Sequence, residues 1–145
     1  MRDNQNTLMR ASMLAVVALA LLSAPSCEGK KPVPSKGSSA IKEINGIPSL
    51  QALLDTSGQR LLVFDMYADW CMPCRILSPI LEKIAQEHAD KASFYKVNID
   101  RNPDISQAFG VSGIPFVVFV RDKVGLEAVT GVHPPESYIR LIERP

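Results

Sequence analysis

The 145-residue chain holds only three cysteines and two histidines, and Cys27 lies across a flexible tether from the other two cysteines, a poor basis for a stable four-ligand zinc site. His88 and His133 lie far apart, and no second C-x-x-C accompanies the one formed by Cys71 and Cys74. Arg75, not histidine, follows Cys74, which excludes c-type haem attachment. Charge of one sign is also lacking: the formal net charge is +1, which argues against a nucleic-acid partner. The apolar run Ala11 to Leu22 is 12 residues long, short of the roughly 20 that span a bilayer. No internal repeat is visible. What remains is an ordinary globular composition, 46% apolar and 21% charged, with chain enough for one domain and one real core.

The small basic excess is unevenly placed. Lys30, Lys31 and Lys36 face only Glu28 between residues 28 and 40, whereas from Ile41 onward 11 basic and 13 acidic residues leave the body at −2. At the N-terminus, Arg2 and Arg10 precede the apolar run, and small residues Ser23, Ala24 and Ser26 follow it, as in a cleaved export signal. Leu22-Ser23-Ala24-Pro25-Ser26-Cys27 resembles a bacterial lipoprotein signal, although Ala24 and Ser26 replace its usual Leu and Gly or Ala, and Pro25 is unusual. Cys27 is therefore expected to be the lipidated first residue of the mature protein; ordinary cleavage leaving a free thiol and an uncleaved anchor are the alternatives. The Pro-, Gly-, Ser- and Lys-rich stretch that follows cannot bury enough surface to order itself. It reads as a solvated tether whose lysines could also touch anionic lipid. The expected organisation is a signal peptide over 1–26, an anchor cysteine and linker over 27–40, and a folded domain over 41–145.

The body alternates strand and helix signals. Ile41 to Ile44 reads as a short strand and Pro48 to Thr56 as a helix ended by Gly58. Leu61-Leu62-Val63-Phe64 reads as a strand buried on both faces, with Asp65 at the end of that run. From Cys71 or Met72 to His88, Ile76, Leu77, Ile80, Leu81, Ile84 and Ala85 recur at helical spacing, with Pro79 expected to kink the helix. Ser93 to Ile99 is a strand, Pro103 to Phe109 a helix and Phe116 to Val120 a buried strand. Lys123 to Gly125 is expected to turn the chain into a hairpin with Leu126 to Thr130, and Pro134 to Ile142 closes as a helix. The order βαβαβαββα predicts an α/β three-layer sandwich, a mixed central sheet flanked by helices.

Trp70-Cys71-Met72-Pro73-Cys74 carries the chemistry. A lone C-x-x-C can be half a metal site, a redox pair or a coincidence. The redox reading has a physical basis: a cysteine at a helix start meets unpaired N–H groups and the positive end of the dipole, both of which stabilise a thiolate. Cys71 would attack a disulfide; Cys74, one turn on and expected deeper, would attack the resulting mixed disulfide. Pro73 stiffens the first turn without losing a needed N–H. His88 and His133 have no sequence reason to be catalytic and read as surface or capping residues.

Over about Ile41 to Glu143 the chain resembles the thioredoxin family. Leu62 to Cys74 matches its strand and active-site block, and Pro79, Lys96-Val97-Asn98-Ile99-Asp100, Gly113-Ile114-Pro115 and Gly131 follow in family order and spacing. The resemblance implies that Cys71 and Cys74 form a redox disulfide and that Asp65 is a buried acid beneath them, a proton acceptor for Cys74 whose pKa burial should raise. An exposed strand-end carboxylate is the plainer alternative. Lys96 would pair with that acid, or else be merely solvated. Pro115 would be a cis-proline facing the disulfide, with the backbone at Ile114 receiving an extended substrate segment. Trp70, Met72, Pro73 and Phe116 would complete the substrate-binding surface, and Tyr67 would join the rim or simply pack.

Three departures qualify this. Met72 replaces the usual glycine, Phe116 a common threonine and Tyr67 a common tryptophan. No histidine lies between the cysteines, unlike the strongly oxidising exported relatives. The expected protein is a monomeric disulfide reductase of the bacterial periplasm or cell envelope, needing no cofactor and no metal. It would act on disulfide-containing exported proteins, be recharged by a transmembrane thiol donor and be held to the membrane through Cys27. Oxidation or isomerisation by the same pair, and a non-catalytic tethered binding module, are the alternatives.

Overall fold

The alternation of apolar runs and amphipathic segments produces one five-stranded sheet with helices on both faces. The computed structural model describes residues 39–144. The expected signal peptide, Cys27 and the linker up to residue 38 lie outside the described residues. In chain order the elements are β1 (Ile41–Glu43), α1 (Ile47–Thr56), β2 (Leu61–Tyr67), α2 (Met72–Glu87), β3 (Ala92–Asn98), α3 (Pro103–Ala108), β4 (Phe116–Arg121), β5 (Val124–Thr130) and α4 (Pro135–Ile142). The sheet order is β1-β3-β2-β4-β5. β3 pairs parallel with both β1 and β2, and β4 pairs antiparallel with both β2 and β5. The expected mixed α/β sandwich is what forms.

β2 occupies the centre of the sheet, which is why its first four residues are apolar without alternation. The pleat sends successive side chains to opposite faces. Leu61 and Val63 join Leu77, Leu81 and Ile84 of α2 and Tyr138 and Ile142 of α4 in one core. Leu62, Phe64 and Met66 join Leu50 of α1 and Ile105 of α3 in the other. The strand runs three residues past the apolar tetrad, so Asp65 sits within it, not at its end.

α2 is one continuous helix through Pro79. Its buried stripe is Cys74, Leu77, Leu81, Ile84 and Ala85; Ile76, expected on that face, is 60% exposed. The β4–β5 turn falls at Asp122 and Lys123, both at positive φ, and not at Lys123 to Gly125. That is the backbone of a two-residue hairpin turn whose twist suits the flanking strands. Gly125 is already in β5 opposite Val120, beside the point where the register slips between Phe119 and Val120. A glycine that looked like the turn serves the bulge instead.

Candidate active site

The pair that carries the chemistry lies where β2 hands over to α2. The chain leaves the sheet at Tyr67, crosses Ala68 to Trp70 and enters the helix at Met72, with Cys71 as its N-cap. Cys71 and Cys74 are joined, with an S–S distance of 2.04 Å and a Cα–Cα distance of 5.3 Å. The Cys74 backbone N–H donates to Cys71 Sγ at 3.1 Å, so an otherwise unpaired donor of the first helical turn is aimed at the first sulfur. Pro73 occupies that same turn. The expected difference in depth is absent: in the disulfide, Cys71 is 3% exposed and Cys74 5%. Their inequality lies in position, because Cys71 receives the helix-end N–H and Cys74 provides it.

Asp65 follows Leu61 and Val63 in the pleat and therefore faces α2. Across the sheet it is in register with Lys96 on one side and Val117 on the other. The carboxyl is 7% exposed, and its Oδ1 has no hydrogen-bond partner among the described residues. Burial pushes its pKa up from 3.8 to about 7, with the Lys96 charge pulling modestly the other way. An exposed strand-end carboxylate is ruled out. Asp65, Cys74 and Lys96 line one cavity of about 300 Å³, together with Tyr67, Ala68, Asp69, Arg75 and Ser78. The acid, the second sulfur and solvent thus share a space through which a proton can move.

Lys96 is brought beside Asp65 without closing an ion pair on it; its Nζ lies 5.7 Å from the centroid of the Tyr67 ring. Tyr67 accordingly lines the acid's cavity, and its hydroxyl donates to Glu43 Oε1 at 3.4 Å. Trp70 is 65% exposed, its indole N–H held by Asp100 Oδ2 at 2.9 Å. Met72 is 62% exposed, and Ile76 stands one turn further along the same helix face. Trp70 and Met72 are thus exposed apolar side chains on either side of Cys71, while Tyr67 packs against Ala68, Cys71 and Cys74.

Ile114-Pro115 is the cis peptide. Ile114 packs against the cluster of Ala68, Cys71 and Cys74 and lies outside the register of β4 with either neighbour. Phe116 departs from expectation: it is buried in the core with Phe64 and Met66 and offers no exposed groove wall. The pleat explains this, since Phe116 pairs with Met66 and shares its face.

Sequence reasoning passed over two residues that support the site. The Tyr138 hydroxyl donates to Gly131 O and accepts from His133 N–H, each at 3.2 Å, while Gly131 N–H donates to Pro115 O at 2.8 Å. Tyr138 thereby braces the segment that backs the cis-proline. The sequence reading placed it only within a closing helix. Arg75 donates to Asp69 O at 2.7 Å and contacts Met72 Sδ at 3.7 Å, tying the loop before Cys71 to the helix after it. His88 is the C-cap of α2, and His133 Nε2 lies 2.9 Å from Thr130 O.

A mixed-sheet sandwich with a cysteine pair at a helix N-terminus, a buried acid behind it and a cis-proline beside it defines a thiol–disulfide oxidoreductase. The thioredoxin family model matches residues 40–144, and the chain belongs to that family. It is 35% identical over 80 residues to the thioredoxin of Alicyclobacillus acidocaldarius, covering 55% of this chain and 76% of that protein. With the Borreliella burgdorferi thioredoxin the identity is 44% over 63 residues, 43% of this chain and 54% of that one. A peptide-N(4)-(N-acetyl-beta-glucosaminyl)asparagine amidase of Caenorhabditis elegans is 35% identical over 94 residues, 64% of this chain but only 15% of its own length. Among solved structures, a mutant thioredoxin of Halobacterium salinarum superposes with a TM-score of 0.64 at 30% identity, covering 73% of this chain and 91% of that one.

Proposed function

We propose that this protein is an exported, lipid-anchored disulfide reductase. The observation that carries the reading is Cys71 at the α2 N-cap above a buried Asp65 that shares a cavity with Cys74. In the reduced protein the Cys71 thiolate attacks one sulfur of a substrate disulfide, forming a mixed disulfide and releasing the other sulfur as a thiolate. The Cys74 thiol then gives its proton to the Asp65 carboxylate and attacks Cys71 Sγ. The mixed disulfide breaks, the second substrate sulfur leaves, and two electrons have passed to the substrate. With a pKa of about 7, Asp65 is poised for both receiving and returning that proton near neutrality.

Docking would use the exposed Trp70 and Met72 and Pro73 of the first turn, with an extended substrate segment pairing at Ile114 beside Pro115. Substrates would be disulfide-containing exported proteins, and a transmembrane thiol donor would return the electrons, because an oxidising compartment does not. The signal-like residues 1–26, Cys27 and the Lys-containing linker support tethering in the bacterial periplasm or cell envelope. Intact mass of the protein recovered from membranes tests the tether: the expected species begins at Cys27 and carries acyl chains, and an unmodified chain rejects it.

Direction is tested by the equilibrium potential of the pair against glutathione. A value well to the reducing side of about −180 mV is expected, without the thioredoxin value being copied because Met72 stands between the cysteines; one near about −120 mV would assign the protein to oxidation instead. The absence of a histidine between the cysteines supports the reducing value.

A further inference from the structure

Residues 39–144 contain two methionines in opposite surroundings: Met66 is 0% exposed in the core, and Met72, between the two cysteines, is 62% exposed. When Cys71 and Cys74 are joined, neither sulfur is a free thiolate and both are buried. Met72 Sδ is then the accessible, electron-rich sulfur of the active-site face. It is not isolated. The Arg75 guanidinium reaches it at 3.7 Å and is itself anchored on Asp69 O at 2.7 Å. A fixed cation beside the sulfur is placed to donate to an oxygen arriving there, and a sulfoxide oxygen is a far better acceptor than a thioether.

We propose that Met72 is an oxidation site for hydrogen peroxide, and that its sulfoxide weakens docking of protein substrates at the exposed Trp70 and Met72 that flank Cys71. In the reaction Met72 Sδ attacks one peroxide oxygen and the O–O bond breaks. The sulfur gives up two electrons and gains one oxygen, and the other oxygen leaves as water after taking both protons. The product replaces a flexible apolar contact with a polar, chiral one next to Cys71. The effect on docking rests on the disulfide-exchange reading above; the oxidation itself does not.

The test treats the oxidised full chain with hydrogen peroxide and locates added oxygen by fragment-ion sequencing, since Met66 and Met72 fall in the same tryptic peptide, Leu61 to Arg75. Met72 should gain one oxygen while Met66 stays unmodified, and methionine sulfoxide reductase should remove it. Oxygen on Met66 at an equal rate, or on Trp70 in preference to Met72, overturns the site. Kinetics of the re-reduced protein test the consequence. Peroxide pretreatment should raise KM for a protein disulfide several-fold and leave turnover of a small hydroxyethyl disulfide unchanged. In Met72→Leu the same pretreatment should leave that variant's own KM where it was. Equal loss with both substrates, or an unchanged KM in the protein whose Met72 is fully oxidised, overturns the docking effect. Lack of exchange in the untreated protein would instead reject the proposed function and leave the oxidation site standing.

Discussion

Replacing Asp65 by asparagine isolates the charge that the fold holds beneath the disulfide. The folded carboxyl titrates near 7 and the unfolded one near 3.8. Between those values the folded state keeps a proton that the unfolded state has lost. Stability contributed at this residue is therefore present at low pH and lost as pH rises, at about 1.4 kcal/mol per pH unit. By pH 8 the loss is on the order of 4 kcal/mol, a large part of a small domain's total. The substituted amide is neutral throughout, so Asp65→Asn should resemble the parent near pH 3, below both values, and exceed its stability by several kcal/mol near pH 8. Urea unfolding of the disulfide form, followed by circular dichroism at several pH values, gives both curves. Other titrating groups are common to both proteins and cancel in the difference. A gap independent of pH, or one that widens towards acid, would refute the assignment of a buried, nearly unpartnered carboxyl. In turnover, the same variant should slow resolution of the mixed disulfide by roughly 10²-fold or more, the usual contribution of a positioned base.

Tyr138→Phe removes two hydrogen bonds, to Gly131 O and from His133 N–H, and should cost about 1–3 kcal/mol. Because Gly131 backs Pro115, KM for protein substrates should rise more than for a small disulfide; an equal change in both would reject the bracing role. Arg101 pairs with Asp69 at 2.7 Å and Glu43 at 3.4 Å, but all three side chains are substantially exposed. Arg101→Ala should therefore lower stability by no more than about 1 kcal/mol, and that small loss should fade in high salt. A loss several times larger would mean that this network holds the loop before Cys71 far more tightly than exposed pairs do.

Much of the site was legible because its chemistry is local in the chain. Helical spacing after Cys74 placed the pair at a helix start, and the uninterrupted apolar run before Asp65 placed that acid near a central strand. Residues whose role depends on a partner distant in sequence were harder to read. Phe116 looked like a groove residue until its pairing with Met66 turned it inward. Ile76 is apolar and near the helical period, but it precedes Leu77 by one residue, a rotation of about 100°, and so turns away from the buried stripe. Tyr138 is 23 residues beyond Pro115, so the closing helix that carries it gave no sign of its bonds to the turn behind that proline. Gly125 suggested a turn because glycine tolerates positive φ, yet Asp122 and Lys123 adopt that backbone themselves. The two sulfurs are equally covered in the disulfide, a property of the closed pair that spacing alone does not reveal.

The central claim is that Cys71 attacks and Cys74 resolves. Trapping tests it most directly: reduced Cys74→Ser and Cys71→Ser proteins are mixed with a disulfide-containing protein, quenched in acid and resolved by non-reducing mass analysis. The Cys74→Ser protein should accumulate a covalent complex through Cys71, and the Cys71→Ser protein should form little or none. Equal trapping by both, or trapping through Cys74 alone, would contradict the account.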